Sequence, residues 1–228
     1  MLASFWLKMR LRKQLLKCKH VTLQRYLEAL NRVLNLNVND VELVALDLEM
    51  TGLDPQVDQI LSIGIVPISH GQLQMQQAEH KLIKIDGSVG QSATIHGILD
   101  HHLEDAVSIE EAIEWLLEQT QGKFIVAHHA PLDIRFLQVQ FQKIYNENVK
   151  LPVIDTLMIE RNRLLKQHET LQDGALRLGA SRARYNLPVY NAHNALIDAL
   201  ACGELLLAQI QAISTQGQVK IADIAKLT

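Results

Sequence analysis

The run Val44-Ala45-Leu46-Asp47-Leu48-Glu49-Met50-Thr51-Gly52 reads as a buried β-strand, yet it carries two carboxylates two residues apart just before a turn. Side chains alternate faces along a strand, so Asp47 and Glu49 point one way while Leu46 and Leu48 point the other. Like charges this close raise each other's pKa unless a proton or a cation lies between them. The pair asks for a positive partner that the stretch itself lacks.

A third carboxylate poses the same problem on a helix. From Ala195 to Ile213 the only charged residues are Asp198 and Glu204, and Ala195, Ala201, Cys202 and Leu205 share the stripe of Asp198. A carboxylate there must be paired, protonated or metal-bound, because burying it bare is very costly. Asn194 suits the N-cap of this helix and leaves His193 in the loop before it. On a continuous helix, residues five apart point about 140° away from each other, but a loop histidine can swing toward the point that Asp198 faces. A fourth acid follows His128-His129-Ala130: Pro131 fits the first helical position and sets Asp133 at the third. Taken singly, Asp133 reads as an acid complementing a helix dipole. His193 reads as a surface histidine, like the other nine.

The elements that position these residues follow from periodicity. Strand patterns at 42–49, 59–68 and 78–85, with short polar or glycine-containing links at 52–58 and 69–72, predict an antiparallel meander. Ser108, three residues before Glu111, opens a helix to Thr120 with a capping box. A short buried strand at 124–127, a helix over 131–145, a strand at 153–155 and helices over 156–166, 169–179 and 195–213 complete the pattern. Strands first, then alternation, predict an α/β protein with a mixed sheet flanked by helices.

With 228 residues and 48% apolar composition the chain can build one sizeable core. Aromatic residues make up 4%, so a surface that stacks bases has to be small and local. Cys18 and Cys202 lie far apart, which disfavours a zinc ribbon or disulfide framework and suits a reducing, cytoplasmic setting. No membrane span is expected from hydropathy. Seven of the 22 Lys/Arg and none of the 25 Asp/Glu fall in residues 1–27, so the remainder is distinctly acidic. A generic basic nucleic-acid binder is not built that way. Residues 5–17 form a basic helix pattern, followed by a second helix with Leu23, Tyr26, Leu27 and Leu30 on one stripe. Residues 1–40 are thus expected as a helical extension and 41–228 as the main domain. The extension can pack on the domain, on a second copy or on a protein partner, with membrane-surface contact, nucleic-acid contact and an organellar presequence as alternatives. Lys8, Arg10, Arg12 and Lys13 interrupt any secretory apolar region.

Taken together, Asp47-Leu48-Glu49-Met50-Thr51-Gly52-Leu53, then Asp133 after a short strand, then His193-Asn194-Ala195-Leu196-Ile197-Asp198-Ala199 closely resemble the three motifs of the DEDDh 3'-to-5' exonucleases. That family includes the proofreading epsilon subunit of bacterial DNA polymerase III and its stand-alone relatives. The resemblance covers about residues 42–210, and the four residues between His193 and Asp198 match the histidine subclass. Thr94-Ile95-His96-Gly97-Ile98 is similar to a further family segment, and Asp155 sits where the family often has a strand-end Asp. His128-His129 departs from the family's His-Asn, and Leu48 to Pro55 reads more like oligoribonuclease. The chain ends about 15 residues after its last expected helix, short of a long polymerase-binding tail, so a free-standing enzyme is expected.

The resemblance implies a ribonuclease H-like fold with an N-terminal helical extension. It also implies a two-metal-ion exonuclease that releases nucleoside 5'-monophosphates from nucleic acid with a free 3' end. Asp47, Glu49, Asp133 and Asp198 would be the metal ligands and His193 the general base. Met50, Thr51, Leu53 and His96 would line the pocket of the terminal nucleotide. An all-carboxylate set suits two divalent cations, Mg²⁺ or Mn²⁺, with Asp47 bridging them. Single-stranded DNA is the favoured substrate, with short or structured RNA as the alternative. A catalytically silent partner-binding module is the reading from another class, and the intact set of five residues argues against it.

Overall fold

The structure, a computed structural model, describes residues 2–167, 169–214 and 218–228. Two helices lead the chain, α1 (Leu2–Leu15) and α2 (Val21–Val33). Leu23, Tyr26, Leu27 and Leu30 form the buried stripe of α2, at the spacing that a period of 3.6 demands. Together with Leu7 and Leu11 of α1 they join the same apolar cluster as the sheet. Phe5, Trp6 and Met9 remain exposed on α1.

The meander expected from 42 to 85 is present. β1 (Leu43–Met50) pairs antiparallel with β2 (Ile60–Ser69), and β2 pairs antiparallel with both β3 (Gln72–Leu73) and β4 (Glu79–Leu82). The short α3 (Ala93–His96) precedes α4 (Ile109–Thr120), whose capping box is formed: Ser108 Oγ accepts from Glu111 N at 3.2 Å, and Glu111 Oε2 accepts from Ser108 N at 2.9 Å. Then come β5 (Phe124–Ala127), α5 (Ala130–Tyr145), β6 (Pro152–Asp155), α6 (Thr156–Leu164), α7 (Leu178–Ala183), α8 (Ala195–Ile213), α9 (Ile221–Ile224) and β7 (Ala225–Leu227). The seven-stranded sheet runs β3-β2-β1-β5-β6-β7, with β4 beside β2. β1, β5 and β6 are parallel, and β5 and β6 are buried throughout, as strands covered on both faces must be. Their carboxyl ends therefore meet at one end of the sheet, the usual place for a site in an α/β fold.

Three expectations are corrected. The helix expected over 169–179 is absent: the described residues from 169 to 177 form turns, and α7 begins only at Leu178. Gly174 has φ +76, a conformation no right-handed helix can include. The helix expected from Pro131 starts one residue earlier, at Ala130, so Asp133 occupies the fourth position rather than the third. Finally, α8 is long and apolar enough, by length and composition alone, to cross a bilayer, which the hydropathy expectation passed over. Its apolar face is used inside the protein, where Ala199, Cys202, Leu206 and Ile210 belong to the same buried cluster as β1 and β2.

Candidate active site

Asp47 and Glu49 stand opposite Gly64 and Ser62 of β2, and a bulge follows Glu49. The parallel ladder between β1 and β5 ends at Ala45 and Val126. Both acids thus project beyond β5, over the place where the chain turns from β5 into α5. That turn needs a left-handed residue, and His129 supplies it at φ 70 as the N-cap of α5. Asp155 steadies the turn: its Oδ1 accepts from His129 N at 3.1 Å while capping α6 through Leu157 N at 3.0 Å. Asp133, one turn into α5, is 4% exposed and faces the same space.

The fourth acid arrives on α8. A Cβ on Gly64 would overlap the backbone of Ala195 and Leu196, so the glycine lets the start of α8 press directly onto β2 beside Asp47. Asn194 caps the helix, accepting from Ile197 N at 3.2 Å. Asp198 reaches back to accept from His193 N at 2.6 Å and Asn194 N at 3.3 Å. His193 holds φ 69, which turns the loop sharply and leaves its imidazole exposed at the rim.

One carboxylate oxygen from each of Asp47, Glu49 and Asp198 lies within 4.8 Å of the others. Burial, followed by the charges of Asp133, Asp198 and Glu49, holds Asp47 well above the usual carboxylate range. Asp133 is raised in the same way, by burial first and then by Asp155 and Glu49. Burial and Asp198 push Glu49 up to about 7. Asp198 is raised by burial, partly offset by the two N–H groups that it accepts from. Hard oxygen donors at close range, with negative charge that the protein leaves unbalanced, fit a divalent cation.

The four acids and His193 open onto one cavity of about 520 Å³, which Met50 also lines. The other expected contact residues, Thr51, Leu53 and His96, are not among the described residues that line it. Thr51 Oγ1 donates to Asp58 Oδ1 at 3.1 Å and accepts from Gln59 N at 3.0 Å, so its hydroxyl locks the 51–59 turn. Leu53 is 75% exposed in that turn. His96 Nδ1 accepts from Ile98 N at 3.1 Å, which places the proton of the neutral ring on Nε2, a buried atom without a partner among the described residues. Burial and the nearby His193 lower its pKa.

Sequence reasoning missed His128, which was expected at the surface with the other histidines. Its Nε2 donates to the Leu176 carbonyl at 2.8 Å and its Nδ1 meets Thr156 Oγ1 at 2.8 Å. The ring straps the 169–177 turns to the end of β5, and burial lowers its pKa. The one available signal was a histidine directly after a buried strand. Its neighbour yields a test: His129→Asn should be tolerated, since Asn adopts φ > 0 readily, whereas His129→Val should cost about 1–3 kcal/mol. Urea denaturation midpoints of the two variants check this, and equal midpoints would contradict it.

Residues 44–206 match the sequence model of the RNase T exonuclease family. The PolC-type DNA polymerase III of Thermotoga maritima is 34% identical over 189 residues, or 82% of this chain. Its counterpart from Halalkalibacterium halodurans is 28% identical over 75% of this chain. The chain spans only 13% and 12% of these relatives' lengths. Exonuclease X in complex with 5'-overhanging duplex DNA has a TM-score of 0.60 at 22% identity, over 80% of this chain and 98% of that one. The nuclease domain of 3'hExo, a DEDDh family member bound to rAMP, has a TM-score of 0.62 at 14% identity, over 77% and 94%. These likenesses show the ribonuclease H-like fold expected from the motifs. By the extent of the sequence match, the chain belongs to the RNase T family of exonucleases.

Proposed function

We propose that this protein is a divalent-cation-dependent 3'-to-5' exonuclease that removes nucleoside 5'-monophosphates from single-stranded DNA, with residues 41–228 carrying the activity. The convergence of Asp47, Glu49 and Asp198 within 4.8 Å supports this reading, and family membership agrees with it. With Asp133 they would hold Mg²⁺ or Mn²⁺, and two such ions, when bound, supply Lewis-acid polarisation of the phosphodiester and a water made more acidic.

The chain's own residues do the rest. His193, at the rim of the cavity, takes the proton of the attacking water. Its backbone N–H is fixed on Asp198, so the ring and the carboxylate are held in register. Met50 offers an apolar wall to the terminal base. The 51–59 turn, with Thr51 and Leu53, borders the sugar, and His96, near His193, stands on the side of the terminal nucleotide. Water attacks phosphorus, the bond from phosphorus to the 3' oxygen of the preceding nucleotide breaks, and that oxygen takes a proton from solvent and leaves as the new 3'-hydroxyl.

A ladder assay on 5'-labelled single strands of DNA and RNA of matched sequence tests this. Progressive shortening from the 3' end with Mn²⁺, faster on DNA and lost with EDTA or in His193→Ala, is the expected result. Faster shortening of RNA would reassign the sugar, and an intact ladder for both polymers would overturn the catalytic reading.

A further inference from the structure

Beside the carboxylate cavity lies a second one of about 630 Å³, within the range of roughly 300–1,000 Å³ typical of small-molecule sites. The two share His128, His129 and Arg177 as a common wall. The second cavity combines leucine side chains, among them Leu157 and Leu171, with two exposed guanidiniums, Arg161 and Arg177. Among the described residues neither arginine has a carboxylate within 4.0 Å, whereas Arg163 and Arg184 nearby are paired with Glu160, and Arg182 with Glu204. Asp173 is the one acid among the described residues of the wall. Arg161 sits on α6, and the side chain of Arg177 lies over Gly174, two residues from the carbonyl that His128 grips.

We infer that this second cavity receives the nucleotide on the 5' side of the bond to be cut, with Arg161 and Arg177 on its phosphates and the leucines against its base. The inference rests on the exonuclease reading above. It follows from the order of the parts: the terminal nucleoside lies toward Met50 and His96, the scissile phosphate at the four acids, and the remaining strand passes His128 and His129 into the adjoining cavity. Guanidiniums without an internal partner are suited to bidentate phosphate contacts. An otherwise acidic enzyme thereby gains a local hold on the strand that it must not release after each cut.

The experiment compares wild type with Arg161→Met, Arg177→Met and the double variant on two substrates. One is a 5'-labelled oligothymidylate. The other is thymidine 5'-(p-nitrophenyl phosphate), which offers the terminal nucleoside and the scissile phosphate without an upstream nucleotide. Both positions are exposed, so the fold should be retained, and circular dichroism checks it. The expected result is an increase of about tenfold per arginine in KM for the oligonucleotide, with a much smaller change for the nitrophenyl ester. The salt dependence of oligonucleotide KM should flatten by about 0.7 in log–log slope per arginine. An oligonucleotide KM and salt slope unchanged in the double variant would overturn the inference, and so would equal losses on both substrates. A wild-type protein that cleaves neither substrate would instead remove the exonuclease reading on which the inference rests.

Discussion

Asp47→Asn is expected to abolish strand shortening and, in EDTA, to raise the melting temperature of the same protein. The loss of rate should be at least about 10³-fold, because on the proposed mechanism this carboxylate would hold the cations that offset the charge developing at the phosphate. The gain in stability has the same origin. Asp47 lies among Asp133, Asp198 and Glu49, and burial with these three charges holds its carboxyl well above the usual range. A neutral amide of the same shape removes the repulsion.

The sign of the pH dependence follows from the raised carboxyls. A group whose folded pKa lies above its unfolded value adds stability fully below the unfolded pKa and loses it as pH rises through the folded one. For Glu49 that window runs from the ordinary 4.5 to about 7, and the raised Asp47, Asp133 and Asp198 act in the same direction. The cation-free protein should therefore melt progressively lower between about pH 5 and about pH 8, and the benefit of Asp47→Asn should be largest at the alkaline end. A gain of about 1–2 kcal/mol corresponds to roughly 2–8 °C in a chain of this size. Mn²⁺ should restore the wild type at about pH 8 and do little for the variant, since binding only to the folded state stabilises it. Calorimetric scans with and without the cation, at both pH values, check this. A variant that melts below wild type in EDTA at alkaline pH would mean that the four acids are not mutually repelling.

The parts of the site legible in the sequence were those where charge conflicted with periodicity. Asp47 and Glu49 broke the pattern of a buried strand, and Asp198 broke that of an apolar helix. Each conflict marked a residue that the structure brings to one cavity. Less legible were features set by partners distant in sequence. β7 has three residues and exists because the edge of β6 is open to it, with Ile154 paired to Ala225, and no local period announces that. The turns at 169–177 carry Leu171 and Ala175 four residues apart, as one face of a helix would, but Gly174 and the grip of His128 on Leu176 decide their path. Arg177, in that segment, was invisible as a wall of the site for the same reason. His128 differs from an ordinary surface histidine only through contacts with Thr156 and Leu176, 28 and 48 residues away.

Gly64→Ala should cost both stability and turnover although residue 64 bears no functional group. The glycine pairs with Asp47 across the β1–β2 ladder, and its missing side chain is what admits the first turn of α8. An added Cβ meets the backbone of Ala195 and Leu196 rather than a side chain that could rotate away. Relief requires a shift of the helix start, and Asp198, with the N–H contacts that hold the His193 loop to it, moves too. Overpacking of this kind costs about 1–3 kcal/mol, or roughly 2–12 °C in melting temperature at this size. A displacement near 1 Å at a reacting centre is worth about 10²-fold in rate. The loss should fall on kcat, with oligonucleotide KM near wild type, because the arginine-lined cavity is walled by α6 and the 171–177 turns and not by α8. Gly203→Ala on the same helix is the control: its Cβ would meet Leu73 Cδ2 at 2.7 Å and Ala45 Cβ at 3.3 Å. The nearer atom ends a flexible, partly exposed side chain at the sheet edge, so Leu73 can turn aside and leave α8 in place. If Gly64→Ala melts and turns over like Gly203→Ala, the backbone contact at Ala195 does not position Asp198, and the placement of the fourth acid must come from the Asn194 cap instead.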